Sequence, residues 1–508
     1  MHRFFLSLAV LMLLPFGAGA QDSFSVSREL DATPWHFSSN AAGLAEKGLP
    51  NINSAGFLYD YKAGEFRLLP EGQSVGDLRF DTEGTTRIGK MTLWGKFAYD
   101  RISEKGASFN TMLYDPFDER FLYHVADSVE SGWKKQSYDM RFKAAMPLGE
   151  HFSAGLEAAY IDKIAAKQND PRAETYHYDL YLKPGVTLKA GKCKFGINGT
   201  WSHTFVRSSP SLANNTYSQP VYILHGLGNY IGEIIGGNSL STMYHKSDSY
   251  GGGVQMEYAG SSWSVLTEVT GLYSLSTTVE SPTNPRLYGT TKKTDFGLNA
   301  FLRWGRGNAL DLKAGFVRTI GIEPTTVWNI QEGTWDVAIE VAQCNFITWT
   351  GEMEYRKNIG ENTRLRGSLG YIYKEDRYAI PPSRFAYSTA TISAGAERRF
   401  VMGSSYLLTS LDLGLRKLIF GQYGFNGYYQ NGAPARDWYP HDIDVLAGDA
   451  LTQKLFLGWN FPAGKSLRME CSLRGGAAEL LAAPKTEDAM FSVGTKRLSI
   501  TGGLSLYF

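Results

Sequence analysis

Apolar and polar residues alternate one by one, over stretches of ten residues or more, along most of this chain. In Lys90 to Arg101, Met91, Leu93, Gly95, Phe97 and Tyr99 fall on one face, and Lys90, Thr92, Trp94, Lys96, Ala98 and Asp100 fall on the other. Side chains that alternate with period two belong to a strand with one apolar and one polar face. The pattern recurs. Tyr138, Met140 and Phe142 alternate with Asp139, Arg141 and Lys143; Phe296, Leu298, Ala300, Leu302 and Trp304 alternate with Asp295 and Arg303. Trp349 and Met353 face away from Glu352 and Glu354, and Met469, Cys471 and Leu473 face away from Arg468 and Glu470. Segments of about ten residues cross a bilayer when tilted. Past the first twenty residues no apolar run has the length of a membrane helix. Charges on the polar face are costly in lipid and acceptable in a wet lumen.

Connection lengths carry the second signal. Short turns near Pro147 to His151, Ala190 to Lys192, Gly260 to Ser262, Gly305 to Asn308, Asn358 to Asn362, Met402 to Ser404 and Pro462 to Lys465 alternate with long polar connections. The long ones include Ile102 to Lys134, Lys163 to Ala173, Ser208 to Lys246, Ser276 to Tyr288, Ile320 to Gln343, Lys374 to Phe385 and Lys417 to Gly448. Short periplasmic turns and long outer loops belong to outer-membrane barrels. The expected fold is all-β: a transmembrane, antiparallel, up-and-down β-barrel of about sixteen strands, with fourteen to eighteen as the range of such a count. Ser54 to Asp81 reads either as two more strands or as a hairpin in the lumen. The closing strand is Leu498 to Phe508, with Leu498, Ile500, Gly502, Leu504, Leu506 and Phe508 on one face. Its terminal aromatic, Phe508, reads as an assembly signal, so the barrel-assembly machinery is an expected partner along with outer-membrane lipid. The 29 Tyr, 28 Phe, 11 Trp and 55 Gly suit interfacial girdles and curved strands.

Residues 1–20 read as a signal peptide: a basic start at His2 and Arg3, an apolar core from Phe4 to Phe16, and small residues from Gly17 to Ala20. Residues 21–53 lack a clear pattern and are expected in the periplasm or the lumen, with the barrel spanning 54–508. The 51 Lys and Arg, less Arg3, balance the 50 Asp and Glu. That neutrality argues against a nucleic-acid partner. Cys193, Cys344 and Cys471 are far apart, odd in number and without metal-ligand spacing, so they read as small apolar side chains.

Nothing in the sequence has the form of a phosphate loop, a paired-His metal helix or a nucleophile elbow. The expectation is no enzyme, no catalytic residue, no metal and no cofactor. His441-Asp442 and His177 with Asp179 read as polar pairs in a loop and a lumen. The lumen-facing charges are expected to be Lys90, Lys96, Asp139, Arg141, Lys143, Asp295, Arg303, Glu352, Arg468 and Glu470, mixed in sign. A strongly ion-selective pore tends toward one sign. In the loop 208–246, Tyr222, Ile223, Leu224, Ile231 and Ile234 are too apolar for a freely solvated loop. They fold either into the mouth as a gate or against neighbouring loops. Two functions stay open. One is a channel or transporter for small solutes, gated by that loop. The other is a closed barrel serving as a surface scaffold or binding protein for a lipoprotein or surface ligand. Its binding loops would be aromatic-rich ones such as that holding Tyr423, Tyr428, Tyr429, Trp438 and Tyr439.

Three segments, Ala18-Gly19-Ala20-Gln21, Arg87 to Tyr99 and Gly502 to Phe508, resemble an uncharacterised family of Bacteroidota outer-membrane β-barrel proteins. The resemblance implies a location and a fold and carries no site residues. A barrel of 22 strands with a separate plug domain exceeds the room in this chain. A barrel of the fatty-acid transporter type, with Gln21 to Asp81 as an N-terminal hatch, stays open.

Overall fold

The computed structural model describes residues 23–46, 53–113, 119–214, 216, 220–235, 242–281, 284–305, 307–424, 432–482 and 495–508. The signal-peptide expectation for 1–20 lies outside the described residues.

The chain opens with helix α1 (Ser23–Asp31) and the short helical turns Pro34–His36 and Ala41–Leu44. Strands β1 (Asn53–Gly64), β2 (Ser74–Ile88) and β3 (Met91–Ala107) start the wall, and β4 (His124–Asp127) lies in a loop. The wall continues with β5 (Ser131–Pro147), β6 (Phe152–Lys167), β7 (Arg172–Ala190) and β8 (Cys193–Ser211); β9 (Pro220–Gly226) and β10 (Asn229–Ile235) form a second loop insertion. Next come β11 (Met243–Ala259), β12 (Trp263–Glu280), β13 (Arg286–Trp304), β14 (Asn308–Asn329) and β15 (Thr334–Ile359). They are followed by β16 (Thr363–Tyr378), β17 (Ser383–Met402) and β18 (Ser405–Gly424). Helix α2 (Tyr439–Ala447) occupies a third loop before β19 (Asp449–Pro462), β20 (Arg468–Ala482) and β21 (Lys496–Tyr507).

Eighteen strands form one closed antiparallel sheet. The seam joins β1 to β21, with Ser54 opposite Tyr507 and Gly64 opposite Arg497. The Phe508 N–H then donates to the Asn53 carbonyl at 3.0 Å. Eighteen is the upper end of the expected range rather than the central count of sixteen: Ser54 to Asp81 lies in two further wall strands, β1 and β2, and not in a lumenal hairpin. Leu58 on the lumen face blurs an alternation in which Phe57, Tyr59 and Tyr61 point out. Closure leaves no wall edge unpaired, the condition for strands to exist in lipid. The outward face is apolar, with Val254, Val269, Phe296, Leu298, Trp349 and Ile500 exposed. Near the short turns, Tyr258 meets Trp263 and Trp304 stacks on Tyr355, as an interfacial girdle requires. The fold and its apolar belt place the chain in the outer membrane, with the short turns on the periplasmic side.

Several expected long loops are shorter than the sequence suggested. β7 begins at Arg172, β13 at Arg286 and β17 at Ser383, and β14 and β15 are joined by only four residues, 330–333. The 26 residues of β15 rise far more than the ~25 Å apolar band needs, even when tilted. Above the membrane both faces of a strand are wet, so alternation stops while backbone pairing continues.

Deleting Phe508 is expected to cut the yield of folded, heat-modifiable barrel several-fold, because it removes the last hydrogen bond of the seam. Barrels that do assemble should behave as wild type. An unchanged yield on cold and boiled gels would count against this role of the terminal strand.

Candidate functional site

The lumen is occupied at both ends. At the periplasmic end the occupant is residues 23–46. The segment is too short to hold a core of its own, so the wall supplies one. Trp35, Leu44 and Ala45 pack on Ala145, Leu266 and Phe301, and Phe24 packs on Tyr406 and Leu408. The remaining contacts are polar. Asn40 accepts from the Ala42 N–H and so caps the Ala41–Leu44 turn; its amide also donates to the carbonyls of Val186 and Ile197 and to Gln255. Ser38 and Ser39 donate to the Glu268 carboxylate at 3.0 and 2.6 Å, and the Trp35 indole donates to Glu257 at 2.6 Å. Arg356 and Arg364 hold the Asp31 carboxylate at 2.8 and 3.1 Å, while Arg303 donates to the Asp31 carbonyl at 2.5 Å. Lys143 donates to the His36 carbonyl at 3.0 Å. Burial, with Lys143 adding, pushes the His36 imidazole down to about 4, so it sits neutral against the wall. Gly155 makes the seat possible: a Cβ there would lie 2.3 Å from the Ala42 nitrogen.

At the outer mouth, three loops form a cap. β4, β9 and β10 make a small sheet in the order β10-β9-β4. Leu122, Tyr123 and Leu227 from two loops and Ile443 from α2 pack together against Cys344, Phe346, Tyr378, Phe385 and Tyr387 of the wall. Tyr123 sits where Gly289 leaves room; a Cβ at Gly289 would meet its ring at 2.1 Å. Polar anchors surround this core. Lys167 and Asp127 pair at 2.6 Å with both side chains fully buried. Glu119 is held by Lys374 and by the Thr319 hydroxyl, and Arg120 reaches Asp179 at 3.6 Å.

The expected gating residues therefore lie in the cap. Tyr222 and Leu224 pack with Phe109 and Trp438, and Ile223 packs with Val125 and Met243. Ile231 and Ile234 lie on β10, and Ile234 is opposite Val221 of β9. Of the loop aromatics, Trp438 is buried and Tyr439 packs against the cap core, while Tyr428 and Tyr429 lie outside the described residues.

The expected lumen charges stay along the wall, and several pair with neighbours there. Asp139 pairs with Arg141 at 2.9 Å, Lys143 with Glu157 at 3.4 Å, Lys96 with Glu83 at 3.9 Å, and Arg303 with Asp311. Arg468 donates to Asn460 at 2.6 Å and to the Ser404 carbonyl. Glu470 is buried on the same strand face, and Asp295 lies half-buried on the lumen face of β13. Glu352 pairs with Lys313 at 3.4 Å with 49% and 48% of their side chains accessible, so the middle of the lumen is wet. Lys90 is a correction: it sits in the two-residue turn after Ile88, where Gly89 takes a φ of 60°, and faces solvent. Beneath the cap, Asp77, Arg79, Asp100, Glu104, Arg120, Lys135, Lys163, His177 and Asp179 line a cavity of about 410 Å3. It carries both signs, with Arg79 paired to Asp100 and Lys135 to Glu104.

The two His–Asp pairs have structural surroundings. His177 contacts Asp179 at 2.7 Å within the cavity wall, and Asp442 accepts from the Leu69 N–H and the Trp438 indole. Cys344 donates to the His225 carbonyl at 3.1 Å, and Cys193, Cys344 and Cys471 are all free thiols. Among the described residues no cluster of three or more His, Cys, Asp or Glu is placed to hold a metal.

Sequence reasoning missed Asp31, Gln255, Glu257, Glu268, Arg356 and Arg364. One signal was available: Gly251-Gly252-Gly253, separated from Gln255 only by Val254, since successive glycines in a strand mark close approach of another backbone.

Residues 41–508 match the model of a family of unknown function, DUF6850. No curated protein matches the chain. Solved structures similar to it include the outer membrane transporter YddB of Escherichia coli, with 10% identity, a TM-score of 0.42, and coverage of 91% of this chain and 81% of that one. The ferric yersiniabactin uptake receptor FyuA of Yersinia pestis has 8% identity and a TM-score of 0.42, with coverage of 90% and 80%. At these identities the likeness is one of barrel architecture alone.

Proposed function

The chain belongs to the DUF6850 family of unknown function, and from that premise we propose that it is a gated channel or transporter that passes small polar solutes across the outer membrane. One observation carries the reading. The wall meets the lumenal segment chiefly through hydrogen bonds and ion pairs, at Glu257, Glu268, Gln255, Arg356 and Arg364. These groups are equally satisfied by water once the segment leaves, so withdrawal yields a wettable passage. A lumen sealed for good would favour apolar filling, since buried charges add little net stability over it. An eighteen-stranded barrel is wide enough for an aqueous path when its fillers move. Because both signs of charge line the lumen, the reading favours polar and zwitterionic solutes over a single ion type.

The test uses planar bilayers and protein whose mouth has been opened by replacing residues 220–235 with a short linker. Asp31→Ala in that background should raise the occupancy of conducting states roughly tenfold, the scale of a lost charge-assisted hydrogen bond. The wall stays paired in this variant, since Arg356 keeps Asp311. Silence of both proteins, with folding shown by heat-modifiability, would remove the channel reading.

A further inference from the structure

β14 and β15 outgrow their neighbours. They pair with each other up to Asn329 and Thr334. The last wall pair on the β13 side is Thr290 with Ile322, and on the β16 side Tyr378 with Cys344. Glu323 and Gln343 are still tied to the cap and to β16, and residues 324–342 stand above the rim as a two-stranded ribbon, about 20 Å long at the usual strand rise. The ribbon has no core. Val327, Trp328, Val337, Ile339 and Val341 are all exposed, and Ile330 at the tip is 87% exposed. An isolated hairpin that buries neither face is marginal in water, and contiguous exposed apolar surface marks a binding surface.

The β15 edge is also unguarded. Among the described residues no strand pairs with its far side from Thr334 to Ala342, and that stretch contains neither Lys nor Pro, the residues that usually blunt an open edge. Its charge has one sign. Glu332, Asp336 and Glu340 lie on the ribbon, and no Lys, Arg or His occurs between Arg318 and Arg356. Such a surface repels an anionic lipid layer and attracts cations. The mode of attraction is already visible inside the molecule. Arg286 stacks over Trp335 with its guanidinium 4.6 Å from the ring centre, and it donates to the Thr326 hydroxyl at 3.0 Å.

We propose that the free β15 edge, Thr334 to Ala342, takes up a basic, extended segment of a partner protein as an added strand. Main-chain hydrogen bonds give such an addition its affinity and side-chain charge its choice of partner. The surface is independent of whether the lumen conducts.

The experiment uses the full-length protein in lipid nanodiscs and labelled nine-residue peptides, read by fluorescence anisotropy. The probe alternates Val and Lys. One control replaces every Lys by Glu, and another places Pro at the centre, which removes a ladder donor. The Val–Lys peptide should bind at least about tenfold more tightly than either control, as expected for charge complementarity combined with strand pairing. Glu332→Lys, Asp336→Lys and Glu340→Lys together should reverse the preference between the Lys and Glu peptides. Joining Glu323 to Gln343 through a two-residue turn should abolish binding and leave heat-modifiability unchanged. Equal binding of the Pro peptide would overturn strand addition, and binding retained by the charge-reversed ribbon would overturn the basic partner. Should the shortened hairpin fail to assemble, the charge-reversed variant decides alone.

Discussion

Solute flux should rise by roughly tenfold or more when residues 23–46 and the loop residues 220–235 are both removed, and by only two- to three-fold when either is removed alone, since an eighteen-stranded lumen conducts only when unfilled along its length. The cap and the lumenal segment sit in series, one at the mouth and one at the periplasmic end, with the Lys313–Glu352 water space between them. Resistances in series add, so the one left in place dominates. Liposome swelling with small sugars and amino acids reads the effect directly. Full flux from removal of 23–46 alone would show that the cap leaks. No flux from the double removal, with the barrel folded, would show that the lumen is not a path. The same geometry revises the expectation for the 208–246 loop: deletion of that loop by itself should change permeability little while Asp31, Trp35 and Asn40 remain seated.

Lys167→Met should loosen the cap more than any other single substitution. Lys167 and Asp127 are fully buried and pair at 2.6 Å, and the Asp127 carboxylate also accepts the Val129 N–H. Taking away the cation leaves a buried carboxylate without its charge partner, which costs about 3–5 kcal/mol. That cost makes cap opening roughly a hundred-fold to several-thousand-fold more frequent, at about 1.4 kcal/mol for each factor of ten. Amide exchange should therefore accelerate across β4 and β9, which pair from His124–Leu224 to Asp127–Val221, while the wall strands stay protected. The double variant Lys167→Met with Asp127→Leu should recover most of the protection, because an apolar pair of similar size replaces a buried ion pair at little cost. Unchanged exchange in Lys167→Met would mean that the apolar core around Tyr123 holds the cap by itself.

The wall was legible in the sequence to the extent that lipid stood on one side of it and water on the other. Where that asymmetry holds, as in β3, β5, β13 and β20, alternation sets Lys96, Asp139, Arg303 and Glu470 on the face opposite the outward apolar side chains. Where both sides are wet, in the upper ends of β7, β14 and β15, the pattern vanishes and strands read as loops. Lys90 marks the opposite limit: the alternation runs one residue into the turn, and period two alone has no means of ending itself. Parity also gives a face and no depth. Glu268 and Arg356 look like any other lumen charges until Ser39 and Asp31, hundreds of residues away in the chain, are placed beside them. The lumenal segment itself was unreadable for a related reason. α1 has nine residues, too few to be stable alone, and the order of residues 23–46 comes from a socket that includes Lys143 of β5, Gly155 of β6, Glu268 of β12, Arg303 of β13, Arg356 of β15, Arg364 of β16 and Tyr406 of β18.

The seam between β1 and β21 has a kinetic consequence. Its partners, Ser54 and Tyr507, are separated by nearly the whole chain, so the ring closes through the contact of greatest loop-closure cost, and no other wall pairing can substitute for it. Until β21 arrives, β1 presents an unpaired ribbon of Phe57, Tyr59 and Tyr61, an adhesive edge in an aqueous compartment. The lumenal segment directly precedes that edge. A chain whose filler is tethered to its first strand brings the filler along as the ring closes and need not thread it through a finished pore. The barrel is thus expected to be born shut, and opening is a later event, separate from assembly.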